Sequence, residues 1–124
     1  MRYSFVQLFD NSKITKLQDH RVAKIEQVKE GKGLFLRMGG EEIALFNVGG
    51  TFHAIGNVCP HQHFSLLHTG ELNGFVVTCP MHGWSYDVRT GVSTNASGRV
   101  KSYEVITREG EIFIRRNGDP HSTD

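Results

Sequence analysis

The sequence has little of what would mark a secreted, membrane-spanning or nucleic-acid-binding protein. Only two of its 124 residues are cysteine, too few for a disulfide scaffold. No stretch approaches the ~18 apolar residues that span a bilayer, and the N-terminal segment lacks the apolar run of a secretion signal. The 14 basic and 13 acidic residues leave a net charge of +1, so no strong field favours nucleic acid or anionic lipid. We therefore expect a cytoplasmic chain without a membrane anchor.

Glycine punctuates the chain, whereas proline is scarce. There are 14 Gly and 3 Pro, and several glycines stand between short runs rich in β-branched and aromatic residues, as in hairpins. No segment keeps a helical period for more than a turn or two. This pattern predicts an all-β fold, an antiparallel sandwich or barrel. The predicted strands are Arg21–Val28, Leu34–Met38, Ile43–Val48, Thr51–Ile55, Phe75–Cys79, Val100–Thr107 and Ile112–Arg115.

The length corresponds to one domain. We predict this domain at residues 21–116, between an N-terminal extension of residues 1–20 and a flexible tail of residues 117–124. The extension contains the apolar run Tyr3–Phe9, which could form an additional edge strand or an arm that contacts another subunit. The tail has no apolar residue to anchor it.

Each of the two cysteines is closely followed by a histidine. The sequence reads Cys59-Pro60-His61 and, further on, Cys79-Pro80-Met81-His82. Two thiolates and two imidazoles could bind zinc, but zinc ligands of one pair are usually about two to four residues apart, whereas one residue separates Cys59 from His61. A centre with two metal atoms could instead take the cysteines on one atom and the histidines on the other. The pattern therefore predicts a metal centre, with zinc as the alternative to an iron–sulfur cluster.

Around these residues the sequence resembles the Rieske [2Fe–2S] proteins, whose pattern is C-x-H followed by C-x-x-H. The resemblance extends over about residues 21–115, and it includes the run from Cys79 to Asp87 and the hairpin that precedes Cys59. It implies a small cluster-binding subdomain made of two loops, at about residues 57–66 and 78–87.

The resemblance also implies one [2Fe–2S] cluster per chain and its ligands. Cys59 and Cys79 would bind the inner iron, and His61 and His82 the outer, solvent-facing iron. His63 is an alternative to His61, because a Cys59–His63 pair would have spacing suited to zinc. A packing or surface role is the main expectation for His63, at a position where relatives often have Gly, and a third reading places it near the cluster in docking or proton exchange.

The neighbours of the ligands bear on the reduction potential. High-potential Rieske proteins carry an additional cysteine in each loop, and here Phe64 and Met81 stand at those positions. Trp84 stands where those proteins have a Ser and is expected to pack in the core, whereas Tyr86 matches a Tyr that donates a hydrogen bond to a cysteine sulfur. Because at least one hydroxyl donor is missing, we expect a potential near the bottom of the Rieske range, roughly −150 to +300 mV.

No second set of residues points to catalysis, so we predict no catalytic residues. An oxygenase needs a further iron site, typically two His and a carboxylate, and the residues after His82 contain a single histidine, His121. The resemblance implies an electron carrier and not an enzyme, taking electrons from an NAD(P)H-dependent flavoprotein reductase and passing them to a terminal oxygenase. Two alternatives stay open: a small Rieske-like subunit of an assimilatory nitrite reductase, and a zinc-stabilised binding module.

Overall fold

The computed structural model describes residues 17–60, 63–81 and 83–117. Within these ranges the chain forms β-strands joined by tight turns and two short 3₁₀ helices, Ile25–Gln27 and Leu67–Thr69. The strands are β1 (Leu17–Lys24), β2 (Gly33–Met38), β3 (Glu41–Val48), β4 (Thr51–Gly56), β5 (Glu71–Asn73), β6 (Val76–Thr78), β7 (Ser85–Asp87), β8 (Ser102–Arg108) and β9 (Glu111–Asn117). No helix in this part of the chain is long and apolar enough to cross a membrane.

The strands form two antiparallel sheets. The large sheet has the order β1-β9-β8-β4-β3-β2, and the small sheet has the order β5-β6-β7. The outer strands of the large sheet, β1 and β2, contribute Ala23, Leu36 and Met38 to the same group of buried side chains. The large sheet therefore curls into a nearly closed barrel, and the small sheet lies beside it.

Two groups of buried side chains hold the sheets together. The barrel core lies inside the large sheet and consists of Ala23, Val28, Leu36, Met38, Ile43, Leu45, Ala54, Ile112 and Ile114. The cysteine core joins the large sheet to the small one and consists of Ala44, Phe46, Ile55, Cys59, Leu67, Val77, Cys79, Tyr86, Val88 and Val100.

Strand β3 separates the two cores. Successive side chains of a strand point to opposite faces, and here both faces are covered. Ile43 and Leu45 are fully buried in the barrel core, whereas Ala44 and Phe46 are fully buried in the cysteine core. Burial of a large apolar side chain contributes about 1.5–3 kcal/mol to the free energy of unfolding. Strand β3 therefore stabilises both the barrel core and the cysteine core.

Two glycines let the segment after the first predicted loop lie directly on the sheets. A Cβ on Gly33 would stand 2.5 Å from the carbonyl oxygen of His68 and 2.7 Å from the ring of Phe46. A Cβ on Gly70 would collide with the carbonyl oxygen of Thr78. Only a residue without a side chain permits these contacts, which place the 3₁₀ helix Leu67–Thr69 between β2 and β6.

The all-β prediction is confirmed, with differences at the level of single strands. Strand β1 begins at Leu17 and ends at Lys24, whereas the predicted strand was Arg21–Val28. It ends early because the chain turns into the 3₁₀ helix Ile25–Gln27, in which Gln27 Oε1 accepts the N–H of Lys24 at 2.8 Å. Strands β5 and β7 were not predicted, because each is three residues long and lies outside any apolar run, whereas β6 falls within the predicted run Phe75–Cys79.

Much of the predicted extension and tail lies outside the described residues. Residues 1–16 and 118–124 belong to this part, so the role of the extension and the flexibility of the tail stay predictions. The domain boundaries at residues 21 and 116 also stay predictions.

Candidate metal centre

The two predicted loops share one backbone arrangement. In the first loop, which follows β4, the N–H of Cys59 donates to the carbonyl oxygen of Phe64 at 3.1 Å. In the second loop, between β6 and β7, the N–H of Cys79 donates to the carbonyl oxygen of Trp84 at 2.8 Å. In both loops the cysteine amide therefore bonds to the fifth residue after it, so that each cysteine stands at the base of a closed turn.

The fold brings the two cysteines together in the core. Cys59 is 0% and Cys79 1% exposed, both are free, and their side chains are within hydrogen-bonding reach. Burial raises the pKa of the Cys79 thiol, and a hydrogen bond from the backbone of Met81 opposes this effect. Two adjacent buried thiols need a nearby positive charge to become thiolates, and a metal ion supplies such a charge. This pair of sulfur donors therefore fits an iron–sulfur centre.

Tyr86 completes the buried part of the site. It is 0% exposed, and its hydroxyl lies 3.2 Å from Cys59 Sγ. Burial, followed by the hydrogen bond to Cys59, raises the pKa of the Tyr86 phenol well above its usual value. The phenol therefore stays protonated, and its hydroxyl can donate a hydrogen bond to the sulfur. This is the contact that the resemblance implied for Tyr86.

Three further side chains of the predicted site lie around the loops. His63 is exposed and has a φ of 61°, a conformation that glycine adopts readily and that histidine tolerates better than most residues. Its N–H donates to the carbonyl oxygen of Cys59 at 2.7 Å. Trp84 is half-buried and packs against the cysteine core, as expected. Phe64, at the position of the additional cysteine of high-potential Rieske proteins, is 44% exposed.

Two of the four predicted ligands, Cys59 and Cys79, lie within the described residues, whereas His61 and His82 lie outside them. The assignment of all four as ligands stays a prediction. Within residues 17–60, 63–81 and 83–117, no group of three or more His, Cys, Asp or Glu residues comes together as a metal site.

Sequence reasoning missed two asparagines that brace the loops. Asn95 Oδ1 accepts the N–H of Ser85 at 2.9 Å, and its amide group donates to the carbonyl oxygen of Gly83 at 3.0 Å. Asn57 is 0% exposed, and its side chain bonds to Ser65 and His68 across the first loop. Because asparagine is mostly exposed in proteins, nothing in the sequence alone marks these two residues as supports of the site.

Relatives share both the sequence pattern and the fold. A family model described as the Rieske [2Fe–2S] domain matches residues 18–104. The ferredoxin component of the p-cumate 2,3-dioxygenase system of Pseudomonas putida is 31% identical over 98 residues, which cover 77% of this chain and 83% of that protein. A chain in the solved complex of reduced oxygenase and oxidized ferredoxin in carbazole 1,9a-dioxygenase has a TM-score of 0.69 at 30% identity, with 76% of this chain and 98% of that chain covered.

A second kind of relative shares the fold. A chain described as an NADH-dependent nitrite reductase small subunit from Mycobacterium tuberculosis has a TM-score of 0.75 at 22% identity and covers 81% of this chain and 96% of its own. At this identity the likeness concerns the fold alone.

These comparisons identify the family and the general role of its members. Relatives at 31–35% identity are ferredoxins of dioxygenase systems, which confirms the prediction of an electron-transfer component rather than an enzyme. The matched model extends over more than half of the residues and is named for a [2Fe–2S] cluster. The chain therefore belongs to the Rieske [2Fe–2S] domain family.

Proposed function

We propose that this chain is a one-electron carrier whose single [2Fe–2S] cluster is held by Cys59 and Cys79 on one iron and by His61 and His82 on the other. The observation that carries the proposal is the meeting of two buried, unbridged cysteines from separate loops, next to the Tyr86 hydroxyl. When bound, such a cluster supplies the uptake and release of one electron at a time.

The protein's own residues set the electrostatics of this exchange. Two thiolates balance the charge of two ferric ions and two sulfides, so Cys59 and Cys79 leave the oxidised site without net charge. Four cysteines would leave it with two negative charges. An electron is therefore added more easily to the mixed Cys and His site, which is why imidazole ligands raise the reduction potential. The buried cysteines would place one iron in the core, and the histidine-bound iron would be the point of electron exchange.

The proposed donor is an NAD(P)H-dependent flavoprotein reductase, and the proposed acceptor is a terminal oxygenase. One electron passes from the reduced flavin to this chain and then to the acceptor, and no atoms are transferred. The ferredoxins of dioxygenase systems among the relatives support this assignment, as does the carbazole complex of oxygenase and ferredoxin. A cytoplasmic location and the absence of nucleic acid among the partners are part of the proposal.

A second candidate is the small subunit of an assimilatory nitrite reductase, favoured by the nitrite reductase chain of similar fold. The two candidates differ in partner and not in local chemistry. Reduced protein that reoxidises when a dioxygenase-type oxygenase encoded beside its gene is added would support the first candidate. A gene adjacent to a nitrite reductase large subunit, and co-purification with that subunit, would support the second.

The ligand assignment is tested by metal analysis and spectroscopy of protein purified without oxygen. We expect iron and acid-labile sulfide in equal amounts, two of each per chain, and a mixed-ligand Rieske signal in electron paramagnetic resonance after reduction with dithionite. Cys59→Ser, Cys79→Ser, His61→Ala and His82→Ala should each abolish or alter this signal. His63→Ala is the matched control for His61→Ala and should retain the signal. Fresh protein that holds zinc without iron or sulfide would establish the zinc-stabilised alternative instead.

A further inference from the structure

Asn57 is a buried polar residue at the start of the first loop. It lies two residues before Cys59 and, together with Ser85, is one of the two polar residues among the buried side chains of the described chain. A buried amide is costly unless its donors and acceptor find partners.

Every polar group of Asn57 has a partner within the first loop or at its base. The backbone N–H donates to the carbonyl oxygen of Glu42 at 2.9 Å, and the backbone carbonyl accepts the N–H of Leu67 at 3.2 Å. In the side chain, Oδ1 accepts the N–H of His68 at 2.6 Å, and Nδ2 donates to Ser65 Oγ at 2.8 Å.

The second hydrogen of the Asn57 amide points to an imidazole nitrogen. Nδ2 lies 3.0 Å from His68 Nδ1, and Oδ1 lies 3.2 Å from the same nitrogen. Burial lowers the pKa of His68 and so favours the neutral ring. With the ring proton on Nε2, Nδ1 accepts the second hydrogen of the amide, and both hydrogens of the amide and its oxygen then have partners.

These bonds join the two ends of the first loop. Residue 57 begins the loop, and residues 65, 67 and 68 end it, while Cys59 and its bond to Phe64 lie between them. The far end is itself fixed to the sheets, since the backbone of His68 lies against Gly33 and its ring packs on Phe35 at a centroid distance of 5.3 Å. Asn57 therefore connects the start of the first loop, two residues before Cys59, to a segment that is packed against the large sheet.

We propose that Asn57 is a positioning residue of the metal centre. By holding both ends of the first loop together, it sets where the Cys59 sulfur stands relative to Cys79 and to the Tyr86 hydroxyl, and so controls how firmly a cluster is retained and in what electronic surroundings. This inference rests on the proposed function, because it assigns Cys59 as a ligand.

The chain offers a matched control. Asn47 is also an asparagine whose side chain ties two segments together: Nδ2 donates to the carbonyl oxygen of Val28, and Oδ1 accepts the N–H of Gly50, both at 2.9 Å. These segments belong to the large sheet and its turns. Asn47→Leu removes bonds of the same kind as Asn57→Leu, but away from the cysteines.

The experiment compares cluster-loaded wild type, Asn57→Leu and Asn47→Leu. Three quantities are measured: the rate at which visible absorbance is lost in the presence of a chelator, the g values of the dithionite-reduced protein, and the midpoint potential. Because supports of metal ligands typically contribute about 10–100-fold to metal retention, we expect Asn57→Leu to lose its cluster at least about tenfold faster, with shifted g values and a changed potential. Asn47→Leu should stay within about twofold of wild type, with unchanged g values.

Milder variants keep the test decisive if Asn57→Leu does not fold. Ser65→Ala and His68→Phe each remove one acceptor of the Asn57 amide, and each should change the same quantities in the same direction by a smaller factor. Folded, loaded variants that match Asn47→Leu in all three quantities would overturn the positioning role. Wild-type protein without iron and sulfide would instead contradict the proposed function itself, so the two failures are distinguishable.

Discussion

At the scale of single residues, the site is made by contacts between residues far apart in sequence. Cys59 and Tyr86 are 27 positions apart, yet the hydroxyl of one lies 3.2 Å from the sulfur of the other. A hydroxyl that donates to a sulfur ligand stabilises the state with more negative charge on that sulfur, which is the reduced state. With Cys59 as a ligand, we therefore expect Tyr86 to contribute to the potential without being a ligand itself.

Replacing Tyr86 with Phe should lower the midpoint potential. The change removes one oxygen and leaves the ring in the cysteine core, so packing is largely retained. A hydrogen bond that favours the reduced state by about 1 kcal/mol corresponds to about 40 mV for one electron, and we expect a decrease of this order in a redox titration. Tyr103→Phe is the control, because the Tyr103 hydroxyl donates to Glu41 and not to a cysteine. An unchanged potential in Tyr86→Phe would show that the phenol does not act on the sulfur.

At the scale of elements, strand β3 contributes buried side chains to two separate cores, and only one of these cores contains the two loop cysteines. The barrel core holds no predicted ligand, and the cysteine core holds both cysteines and Tyr86. Because β3 places neighbouring residues in different cores, substitutions at adjacent positions separate the two effects.

Leu45→Ala and Phe46→Ala should both destabilise the fold but differ in their effect on the centre. Each side chain is fully buried, and such truncations cost about 2–5 kcal/mol in the free energy of unfolding. Only Phe46 lies in the core that contains the cysteines, so we expect Phe46→Ala alone to speed the loss of visible absorbance under native conditions. Denaturant unfolding and bleaching kinetics measure the two quantities. Equal bleaching rates would mean that the cores do not act separately.

At the scale of the whole molecule, the number of cysteines bears on which type of Rieske protein the chain resembles. The chain has two cysteines, and the structure places both at the centre as free thiols. If both bind iron, none is left for the disulfide that joins the loops of high-potential Rieske proteins. Trp84, at the position of a Ser in those proteins, packs against the cysteine core and has no hydroxyl to donate to a sulfur.

We expect the wild-type midpoint potential to lie near the bottom of the Rieske range, at roughly −150 mV. The physical reason is that Trp84 stands in place of one hydroxyl donor, so that Tyr86, whose hydroxyl lies 3.2 Å from Cys59 Sγ, acts without it. A spectroelectrochemical titration of the loaded protein measures the value. A midpoint well above 0 mV would contradict the low-potential assignment and would indicate further donors to the sulfurs.

The all-β class, the family and the candidate pair Cys59 and Cys79 could be predicted from the sequence alone. Ligand type, ligand spacing and alternating apolar runs are local properties, so they can be read along the chain. Four other features are visible only in the folded chain: the two thiols meet in the core, Tyr86 reaches Cys59, β3 is buried on both faces, and Asn57 joins the ends of the first loop. Each of these features depends on the packing of segments that are distant in sequence. Burial and hydrogen bonding are set by these distant neighbours, which a local sequence pattern does not identify.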